Sequence, residues 1–238
     1  MSELKEYVLG NIATIVDCEH KTAPTVETSE YISVRTSDIY NGRIDYENAY
    51  RVAFETYTEW TKRMQPTSGD IILAREAPVG EVGLIEENRK VCLGQRTVLI
   101  RPNKELIHPL FLLYYLINPE TKYEIISRST GSVVEHLNVK DIKEFKFKTF
   151  SSKLIQEQIA STLRSLDHKI DLLDSQNKTL EKLGETLYRK WFIEDEKQDW
   201  QEVELKNNIN ILSGFAFKSA DFKQSGQYRL VTIKNVQD

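Results

Sequence analysis

The chain has 238 residues, 40% of them hydrophobic and 29% charged, the make-up of an ordinary soluble protein with room for one domain of about 150 residues and an appendage. Its formal net charge is −4, with 19 basic and 22 acidic residues in 1–150 and 13 and 14 in 151–238. Neither part carries the basic excess of a protein that binds nucleic acid by charge alone, which weighs against unspecific binding and leaves room for a sequence-specific reader with a local basic face.

Residues 1–105 alternate short β-branched or aromatic runs with turn residues: EYISVR, NGRIDYE, GDIILAR, GEVGLIEEN and RTVLIRPN. This pattern predicts a mostly β half-domain. Asn41-Gly42 and Ser68-Gly69-Asp70 supply the positive backbone angles of tight turns, and Gly80 and Gly83 are expected to interrupt what would otherwise be one strand. From His108 the spacing becomes helical through Leu110, Leu113, Tyr114 and Ile117 until Asn118-Pro119, with a second helix expected from Glu120 to about Ser127. The run PLFLLYYLI is far shorter than the roughly 20 apolar residues of a membrane span, and the N-terminal MSELKEYVLG lacks the regions of a secretory signal. STGSVVEHLNVKDIKEFKFKTF returns to turns and an alternating strand that sets Ile142, Phe145 and Phe147 toward a core, closing a first domain at 1–150. Cys18 and Cys92 have no metal-ligand spacing, so no zinc, no disulfide framework and a reducing cytoplasm are expected.

Residues 153–191 contain no Pro and a single Gly, with Ser151 or Ser152 placed to cap a long spacer helix spanning 151–193. Ile159, Leu166, Leu173, Leu180 and Leu187 fall at heptad position d, and Leu163, Ile170, Asn177, Gly184 and Trp191 at a, a sustained coiled-coil seam. The alternative is a helix packed only on its own domain. A strict seven-residue repeat gives a narrow seam, and at roughly 1.5 Å per residue the rod is about 58 Å, more than one such domain covers. Asn177 at an a position fixes register, and Gly184 lets another backbone approach.

EDEKQD, 194–199, reads as a charged linker. Shifting the sequence by 197 residues aligns Ile12 with Ile209, Ile15 with Leu212, Tyr31 with Tyr228, Val34 with Val231 and Ile39 with Val236. Residues 200–238 therefore read as the start of a second copy of the first domain, too short to hold a core unaided.

The phosphate loop GxxxxGK[ST], the GxSxG elbow and the HExxH zinc helix are all missing. His20, His108, His136 and His168 are scattered, and the adjacent acids Asp17 with Glu19 and Glu86 with Glu87 read as solvated. Neither a catalytic centre nor a cofactor or metal site is expected.

Domain, long helix and restarted domain together resemble the specificity subunits of Type I restriction-modification systems, which run target domain, helix, target domain, helix. The match is densest in SKLIQEQIASTLRSLDHKIDLLDSQNKTLEKLGETLYRKWF, where Glu157-Gln158, Ala160, Asp167, Lys169 and Ile170 occupy the family's helix positions and LYRKWF its aromatic exit. Upstream, GEVGLI, CLGQRTVLIRPN and TGSVVEHLNVKDIKEFKF look like target-domain landmarks. The sequence departs from the family at FKTFSSKLIQEQ, where paired prolines are usual.

The resemblance implies an α+β fold: a β-rich DNA target recognition domain, a long coiled-coil helix and the start of a second target recognition domain. It further implies a non-catalytic cytoplasmic subunit that reads one half of a bipartite site in double-stranded DNA. Its partners would be adenine methyltransferase (modification) subunits and, in the full complex, restriction endonuclease/translocase subunits. The exposed seam calls for a longer native protein or a homodimer of half-subunits through the helix.

Direct readout needs forked donors or amides on loops, which makes Arg35, Arg75, Gln95, Arg96 and Arg128 candidates; Lys62 and Arg63, after Trp60, suit phosphate contact. Gln95 is equally readable as a structural residue tying two turns. Two competing readings are a coiled-coil interaction module that does not bind DNA, supported by the acidic balance, and an enzyme with an unrecognised site.

Overall fold

The computed structural model describes residues 4–129, 136–195, 200, 202–214, 217–218, 222 and 227–231. By its internal contacts the chain divides into two units, Met1–Asn177 and Lys178–Asp238.

In the first unit a four-stranded antiparallel sheet is ordered β2-β10-β7-β8, from β2 (Ala13–Asp17), β7 (Ile71–Ala74), β8 (Val82–Leu84) and β10 (Thr97–Pro102). The central strand β7, IILA, is buried throughout, which explains why it is an unbroken apolar run rather than an alternating one. Successive side chains point to opposite faces. Ile71 and Leu73 join Val98, Ile100, Phe111, Leu112 and Leu116 in one core, whereas Ile72 and Ala74 join Leu99, Ile32, Val34, Val91 and Leu93 in another. Full burial of each such Ile or Leu contributes about 1.5–3 kcal/mol.

The first core is closed by α3 (Pro109–Ile117) and α4 (Pro119–Ser127). Asn118 ends one and begins the other, its side chain accepting from the backbone of Glu120 at 2.9 Å and Thr121 at 3.5 Å. The second core is shared with a three-stranded sheet in which β3 (Tyr31–Val34) runs antiparallel to β6 (Tyr50–Val52) and parallel to β9 (Lys90–Leu93). Strand β1 (Leu4–Val8) pairs antiparallel with β11 (Lys146–Phe150), joining the two ends of the domain.

Asn41 and Gly42, with φ of 46° and 84°, turn the two-residue hairpin between β4 (Ile39–Tyr40) and β5 (Arg43–Ile44) as expected. Gly83 does not interrupt a strand; it lies inside β8. A Cβ there would sit 2.6 Å from the Ile44 side chain and 2.8 Å from the Arg43 carbonyl oxygen, so the glycine is set by the hairpin passing over it. Three short helices have no counterpart in the sequence reading: α1 (Leu9–Ile12), α2 (Phe54–Trp60) and α5 (Val139–Lys143). Ile142 is buried from α5 and not from a strand, while Phe145 and Phe147 are buried as anticipated. Part of STGSVVEHLNVKDIKEFKFKTF, residues 130–135, lies outside the described residues.

Helix α6 spans Lys153–Arg189. Its first turns are docked on the domain: Gln156 is fully buried, donating to the Phe150 carbonyl at 2.7 Å and accepting from the His108 backbone at 2.9 Å, and Ala160 is equally buried. Further along, the Tyr114 hydroxyl donates to Asp167 at 2.5 Å and Arg43 pairs with Asp171. Burial and the Asp167 carboxylate together push the Tyr114 phenol well above its ordinary range. Packing on its own domain therefore holds for the start of the helix; from His168 to Asn177 every residue is exposed.

In the second unit α6 runs on to Arg189 and is followed by a π-helical turn, Lys190–Glu194. The described residues beyond it form a single 3-10 turn, Leu205–Asn207, and all are exposed. The counterparts Tyr228 and Val231 are thus unburied, and Val236 lies outside the described residues. Among the described residues no helix is long and apolar enough to cross a membrane.

Candidate nucleic-acid interface

Strands β2 and β7 end, and β10 begins, at one edge of the four-stranded sheet, with Val98 opposite Asp17 and Thr97 opposite Ala74. Strands β3 and β9 end at the same edge, Val34 opposite Leu93, and the Gly94 amide donates to the Val34 carbonyl at 2.8 Å. Segments 17–20, 35–38, 75–77 and 94–96 therefore leave the sheets side by side. The edge also holds two non-glycine residues in left-handed backbone conformations, Ala77 (φ 32°) and Arg96 (φ 65°), a kind of local strain that clusters at functional loops.

This placement brings together Arg35, Arg63, Arg75, Gln95 and Arg96. Arg63 pairs with Glu19 at 3.2 Å and reaches the carbonyls of Asp17 and Cys18. Arg96 pairs with Glu76 at 2.9 Å, and the other Glu76 oxygen meets His136 Nδ1 at 2.5 Å. His136 Nε2 in turn lies 2.8 Å from Arg75, whose guanidinium is held by Asp17 at 2.7 Å. Gln95 donates to the His20 carbonyl at 3.4 Å, and the His20 ring faces Asp17 at 3.2 Å. Gln95 thus does tie two turns while remaining exposed.

Arg35 is held by both oxygens of Asp38, at 2.8 and 3.1 Å, and lies 3.6 Å from the centre of the Tyr50 ring. These partners, Asp38 above all, push its already high pKa up further, and the fork is fixed in one orientation. Nearby, burial pushes up the Cys18 thiol, leaving it an inert core side chain.

Arg75 needs a correction. It is only 6% exposed, and besides Asp17 and His136 it donates to the Leu137 carbonyl at 2.8 Å. Its Nε and both Nη atoms are each held by a partner within the domain, so it is a scaffold for the edge rather than a residue that can meet a base. Arg128 lies apart, at the end of α4, paired with Glu124 at 3.1 Å and 5.0 Å from the centre of the Phe145 ring. Lys62 is exposed, without an acidic partner among the described residues.

Of the seam positions in the first unit, Ile159 packs on the core and Leu163 is half-buried in a groove with Phe111, Tyr114, Tyr115 and Phe150. Leu166, Ile170, Leu173 and Asn177 are exposed. In the second unit Leu180, Gly184 and Trp191 are exposed and Leu187 is half-buried.

The residues that sequence reasoning missed are the acids and His136. Asp17 and Glu19 are ion-pair partners, and His136 is wedged between Arg75 and Glu76. The available signal was Arg75-Glu76 directly after the buried strand IILA, since a charge entering a core must bring partners with it. Among the described residues no group of three or more His, Cys, Asp or Glu could hold a metal ion.

The chain is similar to the HindI specificity subunit of Haemophilus influenzae (24% identical over 200 residues, 82% of this chain and 42% of the relative) and to the MjaIX specificity subunit of Methanocaldococcus jannaschii (26% over 204 residues, 81% and 45%). It spans about half the length of the curated relatives it matches. Among solved structures, a Type I restriction-modification S subunit from M. genitalium shares its fold, with a TM-score of 0.58 at 18% identity over 95% of this chain and 59% of that one. The family model described as Type I restriction modification DNA specificity domain matches residues 1–182, which takes in the sheets, the arginine-bearing edge and most of α6, and the chain belongs to that family.

Proposed function

We propose that this protein is a sequence-specific DNA-recognition subunit of a Type I restriction-modification complex, with no chemistry of its own. The first domain reads one half of a bipartite target in double-stranded DNA. Helix α6 pairs with a second helix and docks adenine methyltransferase subunits, with restriction subunits joining the full complex. The observation that carries this reading is the gathering of Arg35, Arg63, Gln95 and Arg96 on three neighbouring loops at one sheet edge. Forked guanidinium donors and an amide are the groups that read base edges in the major groove. Loops on a rigid sheet are where such groups belong. Family membership and the similarity to specificity subunits support the assignment.

The test is the triple variant Arg35→Ala, Arg63→Ala, Arg96→Ala. A duplex selected from a random library by the wild-type protein is expected to bind the variant at least about a hundredfold more weakly, at roughly 1–3 kcal/mol per base contact. The fold, read by circular dichroism, is expected to persist because Arg75 remains. Unchanged affinity in a folded variant would remove the assignment of this edge.

A further inference from the structure

All five candidate arginines are paired, each with a different carboxylate: Arg35 with Asp38, Arg63 with Glu19, Arg75 with Asp17, Arg96 with Glu76 and Arg128 with Glu124. Two of these acids stand out. Glu19 and Glu76 are held on the two most exposed arginines of the edge, Arg63 at 52% and Arg96 at 57% side-chain exposure. Each acid is itself largely covered, at 26% and 18%, and Glu76 is held by His136 as well.

We propose that Glu19 and Glu76 are specificity-determining residues: they screen Arg63 and Arg96 so that the edge is nearly neutral toward the DNA backbone and engages strongly only where base edges match. The inference rests on the DNA-reading assignment of this edge.

Its physical basis is the origin of non-specific affinity. That affinity comes from cations that neutralise phosphates and release counterions, and it grows with every phosphate engaged. An arginine that leaves its carboxylate for a phosphate strands a negative charge beside another one, so the exchange gains little. An arginine that adds a guanine edge to its existing carboxylate contact keeps the compensation, because a guanidinium has five donors and can serve both. Paired arginines therefore weaken the binding common to all sequences more than the binding to one. The acidic balance of the domain, 19 basic against 22 acidic residues in 1–150, then belongs to a discriminating reader.

The experiment compares the 238-residue wild type with Glu19→Gln/Glu76→Gln on two probes, a random-sequence duplex and a duplex selected by the wild type, across a salt series. The variant is expected to bind the random duplex on the order of tenfold more tightly near 0.1 M salt, with the slope of log K against log salt steeper by about two, one for each newly available phosphate contact. Affinity for the selected duplex rises less, so discrimination falls. Glu30→Gln serves as the control. Glu30 pairs with Lys90 where that strand begins, at the opposite end of β9 from Leu93, and the change removes one negative charge, as each single substitution of the pair does, without touching this edge; its slope should match the wild type.

A folded double variant with wild-type slope and wild-type discrimination overturns the inference and leaves the DNA assignment standing. Should Glu76→Gln fail to fold, Glu19→Gln alone must still steepen the slope by about one. If the wild type binds neither duplex at low salt, the DNA assignment itself fails and the inference with it.

Discussion

At the scale of single residues, the polar groups inside the domain are placed by hydrogen bonds that titration can report. Tyr46 is buried, accepts from the Glu86 amide at 3.0 Å and donates to the Leu84 carbonyl at 3.3 Å. Burial pushes its phenol from 10 to about 12. A folded-state pKa raised in this way contributes stability that is fully present below pH 10 and is lost as pH climbs to about 12, an effect on the order of 2 kcal/mol. Tyr46→Phe should cost about 1 kcal/mol at pH 7 by stranding the Glu86 amide. It should also make the alkaline decline shallower, as read from urea midpoints at pH 7, 10 and 12. A decline as steep as that of the wild type would show that Tyr46 is not its source. Residue roles of this kind were only partly legible beforehand. Arg35, Arg63, Gln95 and Arg96 could be singled out by side-chain chemistry, but the burial of Arg75 could not, because its partners Asp17, His136 and Leu137 lie about 60 positions away along the chain.

Among the elements, those with a clear period announced themselves and those made by tertiary context did not. Strands β3, β7 and β10 and helices α3, α4 and α6 follow from alternation, apolar runs and the Asn118-Pro119 break. Helix α2 was hidden because FETYTEW buries only Tyr57, and α5 because five residues carry too little of a 3.6-residue repeat to be distinguished from a strand. Helix α6 was legible as a helix but not in its docking. No repeat marks Gln156, yet it joins the helix to Phe150 and His108. Gln156→Ala should remove both hydrogen bonds in a buried site and lower stability by about 2–4 kcal/mol, with α6 still helical beyond Asp171 by circular dichroism. A loss below 0.5 kcal/mol would mean that Tyr114–Asp167 and Arg43–Asp171 hold the helix without it.

For the whole molecule, the question is what covers the seam. In the first unit Leu166, Ile170 and Leu173 are 58%, 51% and 43% exposed, and in the second Leu180 is 63% exposed. These four positions recur at heptad spacing, a register that is costly to leave in water and that matches a partner helix. The earliest seam residues, Ile159 and Leu163, already meet the protein's own domain. The part of the seam left exposed in the first unit therefore begins near Leu166 and runs to Asn177. With α6 as the pairing element, the purified chain should scatter light as two copies at micromolar concentration. Leu173→Glu/Leu180→Glu should return it to one copy without altering the first domain, since neither residue belongs to its cores. A wild-type chain that stays single until a methyltransferase subunit is added would instead assign the seam to that partner. The same double variant would then fail to join the complex while keeping its affinity for DNA.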